Sequence, residues 1–252
     1  MTSPAVSPIL DVQNVSVAFR GPQGPFLAVE EIQFQLAPQE FVCIVGPSGS
    51  GKSTLLRVVA GLLAPTRGRV VFGNSVRKPR IGLVFQQINL MPWRTVWQNI
   101  TLPLEILGEP AEKMEQKTRD MIARVGLEGF EDAWPADLSG GMAQRVAIAR
   151  AMIQDPDLLL LDEPFGSLDA LTRDRMGSEL LRIWQASRKA VIMVTHSISE
   201  AVFLADRVLV VTPRPARIAL NRPIPFERPR TEDLRYTPEF SREVKAIRQA
   251  IE

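Results

Sequence analysis

Two rhythms of apolar residues run along this chain. Over Leu10–Phe19, and again at Ile32, Phe34 and Leu36, apolar positions are spaced as in strands, the second set alternating strictly. Between them, Gly21-Pro22-Gln23-Gly24-Pro25 reads as a loop. Residues 1–8 are small, polar and Pro-containing, the composition of a loose lead-in. Phe41–Val45 is a short unbroken apolar run, as expected for a strand covered on both faces. A Gly-rich turn and a helix from Gly51 to Leu63 are expected next, then strands at Arg69–Phe72 and Ile81–Phe85.

From Trp97 to Ile153 helical spacing takes over. Met114, Thr118, Met121, Ile122 and Val125 share one helical face. The buried-strand pattern returns at Leu158–Leu161, Val191–Val194 and Val208–Val211. Strand–turn–helix units at both ends, with a helical insert between, predict an α/β core carrying an α-helical subdomain. From Pro213 the chain is rich in Pro and Arg, and a short helix is expected at Pro238–Ile251.

Composition changes this picture little. The 252 residues suffice for one large domain or two small ones. A net charge of +2 offers no basic surface, so nucleic acid is not an expected partner. The one cysteine, Cys43, rules out an internal disulfide and fits a reducing compartment. Its neighbours Phe41, Val42, Ile44 and Val45 suggest a buried structural thiol. No segment has the roughly 18 consecutive apolar residues that span a bilayer. The N-terminus lacks the basic stretch and apolar run of a secretory signal. The chain is therefore expected to stay in the cytoplasm, with any membrane role exerted through a partner.

The candidate chemistry begins at Gly46-Pro47-Ser48-Gly49-Ser50-Gly51-Lys52-Ser53, which matches G-x-x-x-x-G-K-[ST] at every fixed position. A buried strand precedes it and a helix follows, the context such a phosphate loop requires. Glycines let the backbone curl so that several N–H groups face phosphate oxygens. The helix N-terminus adds about half a positive charge. Lys52 would reach the terminal phosphates and the Ser53 hydroxyl would ligate Mg²⁺. Leu158–Leu161 then runs into Asp162-Glu163, a carboxylate pair at a strand end, where ligands gather in open α/β sheets. Asp162 would hold the Mg²⁺ shell, and Glu163 would polarise the attacking water. Pro164 stops the strand at this point.

Leu138-Ser139-Gly140-Gly141-Met142-Ala143-Gln144 resembles the signature motif of ABC ATPases, usually written LSGGQ, and the order and spacing of the other motifs agree over nearly the whole chain. Helical periodicity resumes after it at Val146, Ile148, Ala149, Met152 and Ile153, so Ser139 and Gly141 stand at a helix N-terminus. The resemblance implies a P-loop ATPase with an inserted α-helical subdomain and an N-terminal antiparallel β region. The expected ATPase domain covers residues 1–220, with the helical subdomain at about 93–153 and a short tail at 221–252 that is too short for a regulatory domain. It further implies ATP and Mg²⁺ as ligands and a head-to-tail dimer, in which one copy's P-loop and the other's Ser139, Gly140 and Gly141 enclose one ATP.

The same resemblance assigns further residues. Gln86, after the strand, matches the glutamine that contacts Mg²⁺ and the attacking water, although Gln87 doubles it. Asp169 in Ser167-Leu168-Asp169 matches the loop that crosses the dimer interface. His196, the only histidine, takes the switch position that contacts the γ-phosphate. Thr54 joins the phosphate site. Phe19 stands where the family most often stacks a Tyr on adenine, and Met142 where Gln is commonest. Stacking tolerates any base, so use of GTP stays open.

Leu90-Met91-Pro92-Trp93 followed by Thr95-Val96-Trp97-Gln98-Asn99-Ile100, the LSGGM signature, and Glu200-Ala201-Val202-Phe203-Leu204-Ala205-Asp206-Arg207 together look like the importers of nitrate, sulfonates such as taurine, and related solutes. The tail IPFERPRTEDLRYTPEF, Ile224 to Phe240, resembles theirs. Membrane permease subunits are then the direct partners and a solute-binding protein an indirect one, with the chain on the cytoplasmic face of the membrane. An ATPase of an exporter or lipid-trafficking system would carry the same motifs. Soluble ABC proteins of DNA repair or translation need long coiled-coil inserts or tandem cassettes, which this chain lacks.

Overall fold

The computed structural model describes residues 7–21, 24–73 and 79–251. Most of the expected lead-in, and Pro22 and Gln23 of the expected loop, lie outside these residues. The chain divides into two compact units, Met1–Pro79 with Arg188–Glu252, and Arg80–Ser187.

The first unit opens with β1 (Leu10–Gly21), β2 (Gly24–Leu36), β3 (Phe41–Val45), α1 (Lys52–Val59) and β4 (Arg67–Phe72). β1 lies between β2 and β4, antiparallel to both. Gly21, Gly24 and Pro25 belong to strands rather than to a loop: Gly21 pairs with Gly24, Arg20 with Pro25 and Phe19 with Phe26. Cross-strand partners here outweigh the turn preference of Gly and Pro. Gly68 (φ 77°) crosses β1 so closely that a Cβ would stand within 2.2 Å of the Asn14 carbonyl.

The second unit holds β5 (Ile81–Val84), α2 (Val96–Ile106), α3 (Ala111–Arg124), α4 (Gly140–Met152), β6 (Leu158–Asp162) and α5 (Ala170–Ser187). β5 and β6 pair in parallel. Thr95 begins α2 with a reciprocal cap, its hydroxyl accepting from the Gln98 N–H while the Gln98 side chain accepts from the Thr95 N–H. The expected face of α3 is buried at Thr118, Met121, Ile122 and Val125 and half-buried at Met114. Gly82 lets β5 approach α4, since a Cβ there would meet the Ala151 carbonyl at 2.4 Å.

The chain returns to the first unit with β7 (Ala190–Thr195), α6 (Ile198–Leu204), β8 (Arg207–Val211), β9 (Ile218–Pro223) and α7 (Pro238–Gln249). β3 is parallel to β7 on one side and β8 on the other, and β9 is antiparallel to β8. β3, β7 and nearly all of β8 are buried. Sequence pattern does not announce β9, whose half-buried Ile218 and Leu220 alternate with exposed Ala219 and Asn221 before Arg222-Pro223.

Candidate functional site

In the first unit, β3 delivers the chain into Gly46–Ser53 at the N-terminus of α1. Three glycines are required here by space or by backbone. A Cβ on Gly46 would stand 2.6 Å from a Val211 methyl, and one on Gly51 (φ 113°) 2.5 Å from the Ala28 carbonyl. Gly49 has φ 73°. No side chain caps α1 at Gly51. Lys52 is only 4% exposed, and its ammonium donates to the Gly46 carbonyl at 2.9 Å and the Pro47 carbonyl at 2.8 Å. The Ser50 hydroxyl is buried with no hydrogen-bond partner among the described residues. This curled backbone, with a buried cation and an unanswered donor at a helix N-terminus, is chemically a cradle for a phosphate chain.

Beside this loop, Phe19 and Phe26 face each other across the hairpin with ring centroids 5.8 Å apart. Both are exposed, so Phe19 is not a core residue. His196, also exposed, follows β7 directly. Next to it the Thr195 hydroxyl donates to Glu200 Oε2 at 2.6 Å and accepts from the Ser197 N–H at 3.0 Å. Ser197 caps α6 by accepting from the Glu200 N–H.

The second unit carries the other expected residues. Asp162, buried, ends β6. Glu163 follows with φ 43°, a left-handed conformation rare outside glycine, and its carbonyl accepts from the Gly166 N–H at 3.1 Å. The carboxylate of Asp169 accepts from the Thr172 N–H at 3.0 Å. The Thr172 hydroxyl, first, and its N–H hold that carboxyl below the usual carboxylate range. Ser139 is the N-cap of α4, its hydroxyl accepting from the Met142 N–H at 3.3 Å. Gly140 and Gly141 form the first turn, where a Cβ on Gly140 would press on Leu168 at 3.1 Å.

β5 stops at Val84, one residue short of the expected Phe85, so Gln86 lies two residues past the strand, exposed like Gln87. The segment after it is held by residues that sequence reasoning missed. Arg150 on α4 donates to the carbonyls of Ile88 at 3.0 Å and Asn89 at 2.9 Å. Asn99, fully buried, donates to the carbonyls of Met91, Arg94 and Thr95 and accepts from the Met91 N–H. An Asn inside the apolar stripe of α2 was the available signal. This frame presents Trp93, 69% exposed, beside half-buried Leu90, Met91 and Trp97.

Arginines were missed as well. In the first unit, Arg214 donates to the Gly49 carbonyl from Nη2 at 2.8 Å and Nε at 3.2 Å. Arg230 donates to the carbonyls of Val202, Phe203, Ala205 and Phe226. Burial first, then the charge of Arg228, pushes its guanidinium down to about 10.

The ABC transporter family profile matches residues 29–166. An uncharacterised ABC transporter ATP-binding protein of Methanocaldococcus jannaschii is 50% identical over 224 residues, 88% of this chain and 84% of the relative. A taurine import ATP-binding protein of Pelagibacter ubique is 44% identical over 218 residues, 85% of this chain and 82% of the relative. Among solved structures, a dimeric post-hydrolysis state of the ATP-binding cassette MJ0796 bound to ADP and Pi is similar with TM-score 0.75 and 30% identity, covering 86% of this chain and 100% of that one. The cbiO1 protein of Clostridium perfringens, part of the cbiONQ ABC transporter complex, is similar with TM-score 0.76 and 25% identity, covering 95% of each chain.

Proposed function

The chain belongs to the ABC transporter family and is an ATP-hydrolysing cassette; from that premise we propose that it powers import of a small anionic solute of the nitrate and sulfonate class. The observation that supports this is the likeness to taurine import proteins at 42–44% identity, extending beyond the residues the family profile matches. Among the described residues no helix is long and apolar enough to cross a membrane. A permease must then conduct the solute, with the cassette on its cytoplasmic face and a solute-binding protein on the far side. Uptake of labelled taurine and nitrate by cells carrying this subunit and its permease tests the reading. Uptake should vanish with Glu163→Gln; uptake that persists, or efflux in its place, would overturn it.

In this reading Gly46–Thr54 wraps the phosphates of ATP, and Lys52 trades its two loop carbonyls for phosphate oxygens. Phe19 stacks on the adenine. An all-oxygen donor set, the buried Asp162 carboxylate and the Ser53 hydroxyl with Gln86 as a further ligand, suits Mg²⁺, which prefers few protein ligands and completes its shell with phosphate and water. When bound, the ion neutralises charge building on the phosphates. Glu163 polarises the attacking water, Gln86 helps orient it, and His196 contacts the γ-phosphate. Lys52→Ala should therefore weaken ATP binding. Glu163→Gln should bind ATP normally and turn over about 10²–10⁴-fold more slowly.

The working unit is a head-to-tail dimer. Ser139, Gly140 and Gly141 offer a capped helix start that closes over a second copy's ATP, and Asp169 lies at that interface. A two-fold arrangement satisfies both sites at once. Glu163→Gln with ATP should elute as a dimer on size exclusion, and Ser139→Arg should return it to monomer. The exposed Trp93 with Leu90 and Met91 forms the permease contact. Replacing Met91 and Trp93 by Ser should abolish permease co-purification while ATP binding persists.

A further inference from the structure

Three carbonyl oxygens of the phosphate loop accept from side-chain cations. Those of Gly46 and Pro47 accept from the Lys52 ammonium, and that of Gly49 accepts from the Arg214 guanidinium, 165 residues away in sequence. In a planar trans peptide the carbonyl and the following N–H point to opposite sides. Holding the Gly49 oxygen on the Arg214 side therefore aims the Ser50 N–H away from it. That N–H has only a long turn bond to Pro47, 3.3 Å, and the Ser50 hydroxyl has no partner among the described residues. Gly49 has φ 73°, where a glycine has wide conformational freedom, so the peptide needs an external hold to stay oriented.

Arg214 is itself built into place. Its guanidinium carbon lies 5.1 Å from the centroid of the Phe26 ring. The turn that carries it is closed by Thr212, whose N–H donates to the Arg217 carbonyl, whose hydroxyl donates to the Pro215 carbonyl, and which accepts from the Arg217 N–H. The turn is stitched to β2 by Ala216 N–H to the Ala28 carbonyl at 3.0 Å, Glu30 N–H to the Ala216 carbonyl at 2.9 Å, and an Arg217–Glu30 ion pair. Ala28 is also the residue against which Gly51 packs. One strand thus braces both the loop and the arginine that holds it.

We propose that Arg214 is a positioning residue for nucleotide binding: its fork fixes the Gly49–Ser50 peptide so that the Ser50 donors face the phosphates. This rests on the reading of Gly46–Ser53 as the phosphate loop. The role requires the paired geometry of a guanidinium and not merely its charge, since two of its N–H groups share one carbonyl while its central carbon lies over the Phe26 ring. It also predicts that the benefit lies with the phosphates and not with the base.

The test compares Arg214→Ala, Arg214→Lys and Lys52→Ala in the full-length chain, measuring affinity for ATP and for tripolyphosphate, which has no base, together with KM and kcat. Both Arg214 variants should weaken ATP and tripolyphosphate alike by about tenfold, the scale of one lost charge-assisted hydrogen bond. KM should rise by a similar factor, kcat should change much less, and melting without nucleotide should stay close to wild type. Wild-type affinity in Arg214→Lys would reduce the role to a diffuse field and overturn the proposal. So would a loss seen with ATP alone, which would move Arg214 to the base. Unchanged binding in Arg214→Ala would end it outright. Intact binding in Lys52→Ala would instead refute the phosphate-loop reading on which the proposal stands.

Discussion

Two buried cations of the first unit sit at opposite ends of helices. Lys52 lies at the N-terminus of α1, 4% exposed. Arg230 lies at the C-terminus of α6, 8% exposed. A helix carries partial positive charge at its start and negative charge at its end. Arg230 is therefore where the helix field wants a cation, and it answers several orphan carbonyls at once. Lys52 is where the field repels one, and it is kept there by two carbonyls of a loop strung with glycines. The difference separates purpose from stability. Arg230 completes the fold, whereas Lys52, in the role proposed above, is held in readiness for an anion.

Breaking Arg230 should give the largest effect. Arg230→Met strips donors from buried carbonyls, each worth about 1–3 kcal/mol when left unanswered, so urea unfolding should show a loss of about 3 kcal/mol or more. Arg230→Lys keeps the charge without the fork and should recover only part of it. A loss under about 1 kcal/mol would mean that water replaces the arginine, and the contrast with Lys52 would collapse.

Cys43, in β3, probes the ground between the two cations. Burial first, then the charge of Glu200, pushes its thiol well above the ordinary value of 9.0, while Arg228 and Arg230 pull it back. The folded chain keeps this proton after the unfolded chain has lost it. Stability from this group is complete below pH 9 and falls as pH rises toward the folded value, by up to about 1.4 kcal/mol per pH unit. Cys43→Ala should flatten that alkaline slope in unfolding titrations, and a slope that survives the substitution would locate its origin elsewhere.

Lys52→Met should cost the nucleotide-free fold about 1 kcal/mol or less, since relief from the helix field offsets the lost hydrogen bonds. A penalty as large as that of Arg230→Met in the same urea assay would erase the distinction. The smallest effect belongs to the Arg222–Glu243 pair, 2.6 Å apart and partly exposed, where Arg222 holds the Glu243 carboxyl below its usual range. Glu243→Gln should cost about 0.5–1 kcal/mol at neutral pH and nothing once pH falls below the folded carboxyl value.

What could be read in the sequence was whatever depends on near neighbours. Phe41–Val45 and Leu158–Leu161 are legible because a strand covered on both faces must be apolar throughout. Ser139 is legible as a helix start because capping chemistry is local. Gly21–Pro25 reads as a loop because turn preference is local too, yet pairing with a partner strand decides the outcome there. β9 hides because its Ile218 and Leu220 are only half-buried and alternate with exposed Ala219 and Asn221 ahead of Arg222-Pro223. Arg214 and Arg230 were illegible as positioning residues, since each acts on backbone carbonyls that no side-chain pattern encodes, whereas Asn99 left one trace as a polar residue inside the apolar stripe of α2. The left-handed turn at Glu163 leaves no trace in a period of apolar residues either.

That turn has a consequence for evolution in the test tube. A glutamate at φ 43° forgoes about 1 kcal/mol that a glycine would not, so position 163 is a place where the chain is less stable than it could be. Glutamine shares the penalty, which makes Glu163→Gln a probe of chemistry undistorted by backbone relief. Glycine does not share it. A library screened for heat resistance alone should drift to Glu163→Gly, and, with Glu163 in the role proposed above, each winner would be a sturdier protein that turns over ATP far more slowly.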